Sequence, residues 1–178
     1  MEKVKILGVD CSLRNTGLSI VTYNSQLPAS DPHAFKVSHC QVLINPAKYT
    51  GTDAILSMLD MIQTESLKDC YQEVETVIVE SPPVMFNKAW SAGTISSIAH
   101  ISGGSVVAFG IEKSRLYQPI QWNKKRKKDV THNQTIAFLG DPDSWHYEKR
   151  IKSDKYMEHA LDATSMALWW IKSNYLED

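Results

Sequence analysis

Residues 3–17, KVKILGVDCSLRNTG, decide how this chain is read. An apolar run ends on one carboxylate, Asp10, and a short turn of small and polar residues leads to Thr16 and Gly17. A strand that ends in Asp usually does so because the side chain caps a turn. The alternative is a carboxylate held at a sheet edge to bind something charged. The segment TGLSIVTY follows so closely that the two runs form a hairpin, and KVSHCQVLIN supplies a third strand after a turn-rich loop at 24–35. Three antiparallel strands in succession are the economical arrangement.

Further along, Ile55, Met58, Leu59 and Ile62 recur at helical spacing, with Thr52 or Asp53 available as the cap. VETVIVE is short, β-branched and ends in Glu80; lying between two helices, it is expected to be a parallel central strand. A helix rich in Ala, Ser and Gly occupies 90–109, RLYQPI reads as an edge strand because of Pro119, a short helix lies near 130–139, and a last helix runs from about Tyr156 to Ser173. The order βββαβαβα predicts an α/β fold, a mixed five-stranded sheet with helices on both faces.

Composition narrows the function classes. The 178 residues suggest one domain spanning 1–178, and 43% hydrophobic with 22% charged residues suffices for a packed core. No apolar run approaches the ~20 residues of a membrane span, and the N-terminus lacks a signal-peptide pattern. Cys11, Cys40 and Cys70 fit neither a disulfide framework nor a zinc site, so a reducing, cytoplasmic compartment is expected. The net charge of -1 conceals a polarity. From Lys113 to Lys155 there are eleven Lys or Arg against five Asp or Glu, whereas Asp53–Glu80 is acidic. One face suited to a polyanion is compatible with this, as is a solvated surface.

Three acids stand out: Asp10 and Glu80 at strand ends, and Asp162 in the last helix. Neighbouring first and fourth strands place the two strand-end carboxylates side by side. Like charges held close resist joint ionisation unless a cation neutralises them. Hard oxygen donors that leave room for substrate suit Mg²⁺ or Mn²⁺, and a pair of such ions serves phosphodiester hydrolysis. His159 and Glu158 share helix faces with Asp162, at i+3 and i+4 spacing, and either can be the fourth ligand.

ILGVDCSLRNTGLSIV, VETVIVE and HALDATSMALWW together resemble the three acidic motifs of the RuvC-type Holliday junction resolvases of the ribonuclease H-like superfamily. The resemblance covers nearly the whole chain. It implies a homodimeric endonuclease, dependent on two Mg²⁺ or Mn²⁺ ions per site, that resolves four-way or branched DNA junctions by paired symmetric nicks. It implies Asp10, Glu80 and Asp162 as catalytic metal ligands, and it favours His159 over Glu158 as the fourth. Cys11 and Ser12 stand where bacterial members usually have Pro-Gly, which points to a phage or other divergent member.

The same resemblance assigns DNA contact to the basic run Lys124, Lys125, Arg126, Lys127 and Lys128, and makes Phe86, in the loop after Glu80, a candidate wedge between bases. A nuclear localisation signal and a core plug are the plain alternatives for these two features. The small-residue helix permits close packing on the sheet or, through Gly93, Ser97 and Gly104, offers a surface for a second copy. Other readings are a RuvC-like nuclease acting on RNA precursors, a non-catalytic junction-binding protein, and a phosphate-binding ATPase; the last needs a second Gly-rich motif and about twice this length.

Overall fold

The computed structural model describes residues 3–82, 91–123, 127–148 and 153–176. Five strands form one sheet: β1 (Val4–Asp10), β2 (Asn15–Tyr23), β3 (Phe35–Ile44), β4 (Thr76–Glu80) and β5 (Ser114–Tyr117), in the order β3-β2-β1-β4-β5. The first three strands pair antiparallel, while β4 joins β1 and β5 joins β4 in parallel. The expected mixed sheet and its meander are therefore present.

The helices are α1 (Gly51–Ser66), α2 (Asp69–Gln72), α3 (Ala92–Phe109), α4 (Pro119–Asn123), α5 (Lys128–Leu139) and α6 (Asp154–Tyr175). Strand periodicity assigns the two faces. Leu7, Val9, Leu18, Ile20, Val77 and Val79 pack with Met58, Ile62, Ile98 and Ile101 of α1 and α3. Val4, Ile6, Val21 and Ile78, one step out of phase, pack with Met166, Ala167, Leu168 and Ile171 of α6. The same alternation turns Gly8, Asp10 and Glu80 toward the α6 face.

Close approach of α6 to the sheet depends on two glycines. A Cβ on Gly8 would lie 1.9 Å from the Ala163 carbonyl oxygen, and one on Gly17 would lie 2.1 Å from that of His159. Backbone meets backbone at both crossings, so only glycine fits. The Thr164 hydroxyl adds a buried 2.7 Å bond to Ser19 of β2.

Several expectations need correction. The cap of α1 is Thr50, without a side-chain hydrogen bond, instead of Thr52 or Asp53. Edge strand β5 stops at Tyr117, and Pro119 begins α4, where its missing N–H costs nothing. Helix α3 is, by length and composition alone, long and apolar enough to cross a membrane, contrary to the sequence reading. Its Ile98, Ile101, Ser105 and Phe109 are nonetheless buried, and the first two and Phe109 belong to the core between α1 and the sheet. Gly104 faces inward as well: a Cβ there would meet Leu59 of α1 at 2.1 Å. It is thus used within the chain and is removed from the surface offered to a second copy, whereas Gly103 faces open space.

Candidate active site

The turn after Asp10 closes without it. The Thr16 hydroxyl donates to the Ser12 carbonyl at 2.9 Å and accepts from the Ser12 N–H at 3.3 Å. Asp10 is 6% exposed, and its Oδ2 lies 2.6 Å from Nδ1 of His159 on α6. The carboxylate is thus engaged by α6 and makes no capping bond among the described residues.

The parallel register carries Glu80 to the same place. Gly8 pairs with Ile78 and Val9 with Val79, so the next step along both strands sets Asp10 beside Glu80. Ser102 of α3 donates to the Glu80 carbonyl at 2.7 Å and fixes the end of β4. Trp122, on α4, buries an indole N–H that has no hydrogen-bond partner within bonding distance among the described residues and that favours the nearby Glu80 carboxylate.

Asp162, 2% exposed, completes the group from α6. His132 Nε2 lies 2.8 Å from its Oδ1, and the Lys128 ammonium bonds its Oδ2. His159 and Asp162, three residues apart, face the sheet end together, whereas Glu158 is exposed. The geometry therefore brings Asp10, Glu80, His159 and Asp162 to one site and leaves Glu158 outside it.

The electrostatics follow from burial and crowding. Burial raises the Glu80 carboxyl well above the ordinary value, and the charges of Asp10 and Asp162 push it the same way. Burial also raises Asp10; the His159 contact opposes this and Asp162 adds to it. Burial would raise Asp162 too, but the hydrogen bonds from His132 and Lys128 and the Lys128 charge carry it below the ordinary value. Lys128 itself rises: its burial is outweighed by the charge and hydrogen bond of Asp162, with Asp10 and Glu80 contributing.

Crowded buried carboxylates of this kind are a hard-oxygen donor set, and their excess negative charge fits a small divalent cation. As arranged, Asp10 and Asp162 are engaged by His159, His132 and Lys128, and among the described residues no three His, Cys, Asp or Glu side chains stand ready to hold an ion together.

The sequence reading missed His132 and Trp122 and gave Lys128 a different place. Lys128 opens α5 and points into the site, whereas its neighbour Lys127 caps that helix and is exposed. His132, one helical turn after Lys128, was the available signal. Phe86, Lys124, Lys125 and Arg126 lie outside the described residues.

No protein-family model matches the chain, and no curated protein sequence matches it. Solved structures do. RuvC of T. thermophilus in complex with a Holliday junction substrate is 15% identical with a TM-score of 0.63, covering 96% of each chain. The yeast mitochondrial Holliday junction resolvase Ydc2 is 13% identical with a TM-score of 0.57, over 95% of this chain and 78% of its own. The Fowlpox virus resolvase, in complex with Holliday junction DNA, is 14% identical with a TM-score of 0.53, over 97% of this chain and 99% of its own. The chain has the ribonuclease H-like fold of these proteins along nearly its whole length.

Proposed function

We propose that this protein is a metal-dependent, structure-selective DNA endonuclease that resolves four-way or branched junctions by paired nicks. One observation carries the reading: in a fold shared along nearly the whole chain with junction resolvases, Asp10, Glu80 and Asp162 come together from β1, β4 and α6, with Asp10 and Asp162 buried. A junction complex is known for two of these structural neighbours.

Asp10, Glu80 and Asp162 would hold Mg²⁺ or Mn²⁺, with His159 beside Asp10. Bound ions would supply charge neutralisation at the scissile phosphate and a more acidic water. The chain's own groups do the rest. Glu80 is raised well above its ordinary value by burial and by the charges of Asp10 and Asp162, a crowding of negative charge that a bound cation would offset. The Asp10–His159 contact ties the end of β1 to α6, so that the acids keep their spacing. The basic run Lys124, Lys125, Arg126 and Lys127, of which the described Lys127 is exposed, would meet backbone phosphates. Paired nicks in a two-fold junction require two sites, so the working unit would be a C2 dimer. The exposed side of α3, around Gly103 and Val107, is a candidate surface for it.

The test is incubation of the protein with a synthetic four-way junction and with a linear duplex of the same sequence, in Mg²⁺, Mn²⁺ or EDTA. Symmetric, ligatable nicks in the junction alone, abolished by EDTA, are expected. Junction binding without nicks in any metal would identify a non-catalytic binding protein, and cleavage of structured RNA alone would identify an RNA-directed nuclease.

A further inference from the structure

Helices α5 and α6 are joined by two buried polar rungs. His132 meets Asp162 at 2.8 Å, and Thr135, three residues on, meets Ser165, also three residues on, at 2.7 Å. All four residues are at most 8% exposed. A pair of buried hydrogen bonds at matched spacing sets the register of two helices more sharply than apolar packing does. His132 is thereby fixed relative to Asp162.

The two partners of Asp162 differ in kind. The His132 side chain is 10% exposed and Asp162 is 3% exposed, whereas that of Lys128 is 63% exposed. The Lys128 ammonium reaches solvent and can give up Asp162 for water. A buried imidazole locked by its helix has no comparable access to water. Oδ1 is therefore held from inside the fold, and Oδ2 by a group that can leave.

We propose that His132 is a positioning residue: through Oδ1 it fixes the Asp162 carboxylate and leaves Oδ2 as the oxygen that would take a divalent cation, with Lys128 as that oxygen's displaceable occupant. The inference rests on the metal-dependent reading above and adds a residue from α5 to it. Outer partners that orient a ligating group typically change metal affinity by about 10- to 100-fold when removed.

The experiment measures Mn²⁺ binding to the full chain without DNA, by calorimetry and by the electron paramagnetic resonance signal of free Mn²⁺, with a thermal melt of each variant. His132→Ala should weaken binding by about 10-fold or more. His132→Gln, whose amide nitrogen can reach the position of Nε2, should stay near wild type. His132→Asn, which keeps an amide but retracts it, should resemble His132→Ala and carries the test if the alanine variant does not fold. Lys128→Met should tighten binding by about 2-fold or more, since even a fully exposed ion pair can be worth that much. Wild-type affinity in both His132→Ala and His132→Asn would overturn the proposal, as would failure of His132→Gln to rescue or weaker binding in Lys128→Met. Asp162→Asn separates the levels. If wild type binds Mn²⁺ and Asp162→Asn does not, an unresponsive His132 sinks only this inference. If wild type binds no Mn²⁺, or Asp162→Asn binds it equally well, the metal reading falls and this inference with it.

Discussion

Gly17→Ala tests the link between packing and chemistry with a single methyl group. The added Cβ would lie 2.1 Å from the His159 carbonyl oxygen and 2.6 Å from its carbon, both backbone atoms of α6. Ordinary contact begins at 3.4 Å, so helix and strand must separate locally by about 1.3 Å. No flexible side chain can absorb this. Overpacking of this kind costs ~1–3 kcal/mol. The same separation acts on the residue that bonds Asp10 at 2.6 Å, and a misplacement of about 1 Å at a reacting site costs ~100-fold in rate. Urea unfolding gives the first quantity, and single-turnover nicking of a four-way junction gives the second. The stability loss follows from geometry alone; the rate loss also requires the proposed activity. A variant with wild-type stability would refute the packing argument. A destabilised but folded variant that nicks at the wild-type rate would show that the His159–Asp10 contact does not matter to the chemistry.

Glu80→Gln should abolish nicking while leaving junction affinity similar or higher, because a charge that repels phosphate is lost; filter binding and a nicking assay on one preparation check this. The same variant has a proton-linked consequence. Glu80 and Asp10 are raised in the folded state, so the native protein holds protons that the unfolded chain releases, and metal-free stability should fall as pH rises from their ordinary values near 4 up through the raised ones. Asp162, lowered, acts oppositely, and its contribution is lost only as pH falls below 3.8. Melting temperatures across pH should show this decline in wild type and a flatter profile in Glu80→Gln. Replacing Lys124, Lys125 and Lys127 by Ala should weaken binding to all DNA sequences and reduce the log–log salt slope by about one unit per lost phosphate contact; an unchanged slope would make the run a solvated surface. Gly103→Trp, on the open side of α3, should give a monomer that still binds metal but makes unpaired nicks; light scattering with and without junction decides, and a monomeric wild type in both samples would contradict paired cutting.

Much of the scaffold was legible because it rests on local periodicity. Alternating apolar residues set the strands, helical spacing marked α1, and a β-branched run between helices marked β4 as parallel. Strand-end acids at 10 and 80 therefore declared their adjacency before any coordinates, since parallel register converts two sequence positions into neighbours. The acid in the last helix was legible as a candidate, although its depth of burial was not. Where α3 was concerned, composition showed that Gly and Ser were abundant without showing that Gly104 faces α1 while Gly103 faces open space.

By itself, then, the sequence determined the strand order, the three acids and the helix that carries the last of them, because a repeating backbone geometry maps position onto face. Only the tertiary structure decided that Asp10 answers to His159, that Glu158 stays outside, and that α5 sends Lys128 and His132 to Asp162. These are contacts between elements up to 149 residues apart. They depend on how closely α6 lies on β1 and β2 and on the register of α5 against α6. No spacing within one element encodes a distance that two glycine crossings and a pair of buried hydrogen bonds set together.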